Sequence, residues 1–107
     1  MAAFEIAQLD DVIHGRMRLG IMAYLASAEV ADFNELKRVL DATQGNLSIH
    51  LRKLEDAGYI TIEKSFLGRK PLTRARLSPA GRVAFAEYLD AIAKLVDAAG
   101  GVASANS

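Results

Sequence analysis

The spacing of apolar residues changes along the chain, and each change marks an element. From Arg16 to Ser27, Leu19, Met22, Tyr24, Leu25 and Ala26 recur at three- and four-residue intervals, the pattern of a helix with a broad apolar face. Upstream, Leu9, Val12 and Ile13 suit a separate turn, with Gly15 as the joint. A second helix is expected from about Asp32 to Leu40, with Phe33, Leu36, Val39 and Leu40 on its apolar side. Asp32-Phe33-Asn34-Glu35 has the form of a capping box, in which the side chains of the first and last residues bond each other's backbone amides.

Asp41-Ala42-Thr43 is a short connector, and Thr43 is a good N-cap for a third helix running to about Ala57. Leu47, Leu51 and Leu54 form its buried stripe, and Gly58 sits where a left-handed cap is needed. The period then drops to two. Tyr59 to Lys64 alternates with Ile60 and Ile62 inward, and Thr73 to Leu77 alternates with Ala75 and Leu77 inward. Between them, Ser65 to Leu72 is expected to be the long tip of a hairpin, with Gly68 in the turn and Pro71 unable to donate to a ladder. Ser78-Pro79 opens a last helix, Ser78 as N-cap and Pro79 at its first position, running to about Asp97. The small, polar stretch that follows reads as a flexible tail, so the expected division is one domain over residues 1–97 and a tail over 98–107.

Composition narrows the chemistry. At 107 residues, 51% hydrophobic and 24% charged, the chain is an ordinary single globular domain. With no cysteine it has no disulfide, thiolate metal site or cysteine nucleophile. Its two histidines, His14 and His50, stand in no metal-ligand spacing, and no glycine-rich loop resembles a phosphate cradle. Asp10-Asp11 reads as a solvated or capping pair rather than a catalytic one, and His14 as a cap of the first long helix or a bond to backbone. No enzyme and no cofactor is expected. The longest apolar run, Ile21 to Ala26, is too short to span a bilayer, and Met1 to Glu5 has no signal-peptide pattern; the expected location is the cytoplasm.

Net charge is zero, but it is unevenly spread: −3 over residues 1–45, +4 over 46–76 and −1 over 77–107. A local basic patch governs polyanion binding more than the total does. Two helices joined by three or four residues form a helix-turn-helix, which sets the second helix in a DNA major groove. With the leucine stripe inward, Gly45, Asn46, Ile49, Arg52 and Lys53 face outward, and Ser48 and His50 flank the stripe. Asn and Arg read base edges through paired hydrogen bonds, Ser bonds base or phosphate, and Ile49 suits a thymine methyl. Gly45 would let the backbone approach DNA closely. Arg69 and Lys70 on the hairpin tip, with Arg74 and Arg76 at its base, suit phosphate contacts.

Asp32 to Leu36 followed by Gly45 to Ile60 resembles the helix-turn-helix of winged-helix transcriptional regulators. Phe66 to Thr73 and Leu77 to Arg82 resemble their wing and the start of their final helix, and His14 to Leu19 is similar to the start of their first. The resemblance covers about residues 9–96 and is closest to small single-domain proteins related to the MarR and ArsR regulators. It departs at positions 74–75, where relatives carry an aromatic and this chain has Arg74 and Ala75. Metal-sensing ArsR relatives use cysteine pairs, so no metal site carries over.

The resemblance implies an α+β, mainly helical fold: a winged helix-turn-helix with a two- or three-stranded antiparallel wing and a long C-terminal helix. It implies a homodimeric regulator that binds double-stranded DNA through Gln44, Asn46, Ser48, Ile49, His50, Arg52, Lys53, Arg69, Lys70 and Arg74. It names no effector, no operator and no sign of regulation. The alternative is a winged-helix module for protein–protein contacts whose basic patch is incidental. In the last helix, apolar residues span an arc of roughly 220°, wider than one small core needs. Dimerisation is therefore expected through Phe85, Tyr88, Leu89, Ile92, Leu95 and Val96.

Overall fold

The computed structural model describes residues 6–100. A 3-10 turn at Ile6–Gln8 precedes α1 (Arg16–Ala28), β1 (Val30–Asp32), α2 (Phe33–Val39), α3 (Gln44–Asp56), β2 (Ile60–Leu67), β3 (Lys70–Leu77) and α4 (Pro79–Ala98). This is the α+β, mainly helical winged helix-turn-helix that the sequence implies, with three antiparallel strands in the order β1-β3-β2.

The caps fall where side-chain chemistry puts them. Asp32 accepts from the Glu35 amide at 2.8 Å while the Glu35 carboxylate accepts from the Asp32 amide at 3.4 Å, so the capping box that starts α2 is complete. Thr43 caps α3 through the Asn46 amide, and Ser78 caps α4 through the Gly81 amide with Pro79 in the first turn. Gly58 has the left-handed φ of 80° expected just past α3. α4 ends one residue beyond the expected Asp97, with Ala99 as its cap; the expected tail lies, from residue 101 on, outside the described residues.

Three features differ from expectation. β1 was not located by sequence pattern: its three residues are too few to show a period, and only Ala31 is buried. Ala31 pairs with Ala75, which pairs in turn with Ile62. The small side chain at position 75 therefore lies in a central strand beside another alanine, each only 2% exposed.

The second difference is the wing tip. Ser65 to Leu72 is not a long loop, because pairing continues through Phe66↔Pro71 to Leu67↔Lys70 and leaves two residues in the turn. Gly68 has φ 66° and Arg69 no positive φ, the pattern of a type II′ turn, which glycine permits at its first position. Pro71 is tolerated because its neighbour across the strand is a non-hydrogen-bonded pair and β1 reaches only to Arg74 on its other side. The third difference is at His14, whose amide donates to the Asp10 carbonyl at 2.7 Å but whose ring caps no helix: its Nδ1 lies 2.7 Å from the Tyr88 hydroxyl of α4.

α1 is the centre of the core. Its Ile21, Met22 and Leu25 are fully buried against Leu47 and Leu54 of α3, Leu36 of α2, Ile60 of β2 and Ile13 of the leading turn. Asp10 shapes that turn by accepting from the Val12 and Ile13 amides at 2.8 and 3.2 Å, which is the capping role expected for it. α4 joins the core through its first two-thirds, with Gly81, Phe85, Tyr88 and Ala91 buried and Ile92 packed beside them. The radius of gyration is 16.0 Å with a longest extent of 54 Å, against about 12–13 Å for a compact chain of this length.

Candidate nucleic-acid interface

α3 buries one stripe and exposes the rest. Leu47, Leu51 and Leu54 are at most 5% exposed, while Gln44, Gly45, Asn46, Ser48, Ile49, Arg52 and Lys53 are exposed. Ile49 is 56% open to solvent, an unusual position for an isoleucine on an otherwise polar face. Nothing stands within 4 Å of where a Cβ on Gly45 would be, so the helix start is open to approach.

One flank of α3 meets the wing across a groove of about 370 Å³. Gln44, Ser48, Arg52 and Glu55 line its helix side, Lys64 and Thr73 its sheet side, and Phe33, Leu51 and Ile62 its floor. Lys64 and Thr73 were missed by sequence reasoning, although the signal was present. Strand alternation that turns Ile60 and Ile62 inward also turns Lys64 to that face, and Thr73 lies opposite Lys64 in the register.

The same alternation separates Arg74 from this site. Arg74 pairs with Glu63 on one side and Asp32 on the other, on the sheet face turned away from α3. Arg76 shares that face and forms an ion pair with Glu63 at 3.2 Å. The expected basic cluster at the wing base is thus on the outer face among carboxylates, while Arg69 and Lys70 stay exposed at the tip.

The other flank of α3 meets the start of α1. A cleft of about 410 Å³ there is lined by Gly15, Arg16, Arg18, Asp41, Asn46 and His50, among others. His50 is half-buried and held: Arg18 donates to its Nδ1 at 3.0 Å, and Arg18 also donates to the Val12 carbonyl at 2.5 Å. Burial, then the charges of Arg18 and Lys53, pull the His50 pKa below its usual 6.5. A neutral imidazole accepting at Nδ1 carries its proton on Nε2 and keeps one donor for a ligand.

Among the described residues the ion pairs are Arg76–Glu63 and Lys94–Asp90, both away from the groove. Arg16, Arg52, Lys53, Lys64, Arg69 and Lys70 therefore have no acidic partner among the described residues. No group of three or more potential metal ligands occurs among the described residues, and no described helix is long and apolar enough to cross a membrane.

Of the residues expected to form a dimer surface, Phe85 and Tyr88 are 8% and 3% exposed within their own chain, and Tyr88 is tied to His14. Ile92 and Leu95 are half-buried, while Leu89 and Val96 are 49% and 41% exposed. The wide apolar arc is thus two stripes, one spent on the chain's own core and one left open.

Residues 17–96 match the family model described as a winged helix DNA-binding domain. An uncharacterised protein of Methanocaldococcus jannaschii is 37% identical over 84 residues, which cover 78% of this chain and 91% of that protein. Among solved structures, a transcriptional regulator homologue from Pyrococcus horikoshii superposes with a TM-score of 0.83 at 28% identity, covering 92% of this chain and 97% of the other. A MarR-family transcriptional regulator from Silicibacter pomeroyi shares the fold, with a TM-score of 0.60 at 18% identity over 85% of this chain and 61% of its own.

Proposed function

The chain belongs to the winged helix DNA-binding domain family, and from that membership we propose that it is a sequence-specific, double-stranded DNA-binding transcriptional regulator, acting in the cytoplasm as a homodimer. The observation that supports this most directly is the set of cations without acidic partners on the side where α3 and the wing tip are exposed. Asn46, Ser48, Ile49 and Arg52 read base edges in the major groove, with Gln44 at the helix start. Lys53, Lys64, Arg69 and Lys70 meet phosphates on either side, and His50 offers its Nε2 proton to the backbone beside Asn46. Arg74 is left out of this set because it faces the other way.

A homodimer supplies two recognition helices about 34 Å apart, one turn of duplex, and so reads a pseudo-palindrome. Leu89 and Val96 are the exposed apolar residues of α4 that a two-fold partner would cover, with Ile92 and Leu95 beneath them.

The test is duplex binding followed by fluorescence anisotropy across a range of salt, after selection of bound sites from random DNA. Log affinity should fall with log salt by about 0.9 per neutralised phosphate. An affinity unchanged between low and moderate salt would remove the electrostatic basis of this reading.

A further inference from the structure

The wing tip carries apolar side chains that neither the core nor the groove beside α3 uses. Phe66 and Leu67 are 72% and 71% exposed, more than any other large apolar residue among those described. They do not lie on a loose loop. They are the last strand residues before the two-residue turn at Gly68-Arg69, so the backbone fixes where they point.

The register decides which of them matters. Phe66 stands opposite Pro71, and alternation puts this pair on the same sheet face as Ile62, Lys64 and Thr73, the face toward α3. Leu67 stands opposite Lys70 on the other face. The groove side of the wing therefore ends in an apolar plate of ring and pyrrolidine, bordered by Arg69 in the turn, which has no acidic partner among the described residues, while Lys70 lies on the opposite face.

An apolar plate alone names no occupant; its surroundings do. Arg69 borders it at the tip, and Lys64 and Arg52, with Glu55 beside them, stand behind it in the groove. This charge favours a polyanion over a neutral protein surface. Duplex DNA is a polyanion that also holds an apolar surface, the faces of its stacked bases, reached from the minor groove when a step is opened.

We propose that Phe66, backed by Pro71, is a wedge that enters the minor groove next to the α3 site, partly unstacks one base step and bends the duplex. This rests on the DNA-binding reading above and adds a mode of recognition to it. A wedge reads deformability, so it selects flexible pyrimidine–purine steps such as TA or CA at a position where no side chain bonds a base edge.

The test compares the unmodified protein with Phe66→Ser and Phe66→Leu on a selected duplex labelled at both ends for energy transfer. Phe66 is outside the core, so both variants should melt at the temperature of the unmodified protein. The unmodified protein should bend the duplex by some 20–90°. Phe66→Ser should lose most of that bend and bind roughly tenfold more weakly, a loss of about 1.4 kcal/mol. Phe66→Leu, which keeps an apolar wedge, should retain much of both.

A Phe66→Ser variant with the bend and affinity of the unmodified protein overturns the wedge while leaving DNA binding intact. Loss of the dimer in Phe66→Ser, seen by sedimentation, also overturns it by assigning the plate to a second copy of the chain. Failure of the unmodified protein to bind any duplex overturns the DNA-binding reading itself, and the wedge with it.

Discussion

Gly81 of α4 lies against the backbone carbonyl of Tyr59 at the start of the wing: a Cβ on Gly81 would stand 1.9 Å from that oxygen and 2.8 Å from its carbon. The contact belongs to a seam. The Ser78 amide donates to the same carbonyl at 3.0 Å, and the Ser78 hydroxyl donates to the Gly58 carbonyl at 2.5 Å while accepting from the Gly81 amide at 2.9 Å. Any side chain at position 81 must push backbone from backbone. Gly81→Ala should therefore cost about 3 kcal/mol or more, the upper range for forced overpacking. Urea unfolding measures it, and a loss within 0.5 kcal/mol would show that the seam yields freely.

Tyr59 holds a second connection, its hydroxyl donating to the Asp10 carboxylate that also shapes the turn before α1. That hydrogen bond, then burial and the charge of Asp10, push the Tyr59 pKa up to about 12. The phenol is favoured in the fold, so its contribution is complete below pH 10 and is lost as pH rises from 10 toward 12. Tyr59→Phe should cost about 1 kcal/mol at neutral pH. It should also remove the last tyrosinate step from an ultraviolet titration; a step near 12 that survives the substitution would belong to another tyrosine.

His50 gives the opposite pH dependence. Its pKa is lowered in the fold, so below the unfolded value of 6.5 the unfolded chain binds more protons than the folded one. Stability should be at its plateau above pH 6.5 and fall as pH drops through the window beneath it. Protonation also removes the acceptor that Arg18 uses and sets two cations against each other. In His50→Gln the decline between pH 6.5 and 5 should be shallower in denaturant titrations, and an unchanged slope would mean that His50 contributes nothing to it.

Most of the architecture was legible because it is local. The capping box at Asp32 and Glu35, the Thr43 and Ser78 caps and the leucine stripe of α3 depend on neighbours within a turn or two, and the structure places each as the spacing implies. What was illegible is pairwise and distant. The 1.9 Å approach at Gly81 needs a partner 22 positions away, and the Tyr88 hydroxyl meets His14 across 74 positions. β1 becomes a strand only because β3 offers it an edge. In the candidate site the helix face was readable from its period. In the wing the alternation already turns Arg74 and Arg76 outward, and what a long tip hides is the pairing from Ser65 to Leu72 and with it the faces of Phe66 and Lys70.

That distinction separates two lysine and arginine substitutions. Lys64→Ala should reduce the salt slope of duplex binding by about 0.9 for each protomer, since it removes one phosphate contact from the groove. Arg74→Ala should leave the slope unchanged, because its neighbours are Glu63 and Asp32 on the outer face. Reversal of the two results would place the duplex on the other side of the wing.

The distal part of α4 raises the question of what covers it. Leu89 and Val96 are seven residues apart, two turns, and so lie one above the other along the helix. Both are exposed, and they adjoin the stripe of Phe85, Tyr88 and Ala91 that faces the core. Beyond Ala91 no residue of α4 is buried, and Ile92 is the last to pack against the core, so the final turns have little support from their own chain. Burying a leucine or valine yields roughly 1.5–3 kcal/mol, and a parallel copy of the same stripe is self-complementary across a two-fold axis. Leu89→Asp should leave the monomer folded, because the side chain is already 49% exposed. It should abolish the dimer by placing two carboxylates at its centre. DNA binding should then weaken by about 10²-fold or more, since the second half-site no longer benefits from the first. Sedimentation equilibrium at micromolar concentration decides the matter: the unmodified protein should run at twice the 11.5 kDa of one chain and the variant at 11.5 kDa. An unmodified protein sedimenting as a single 11.5 kDa species would leave Leu89 and Val96 without a partner and end the dimer model.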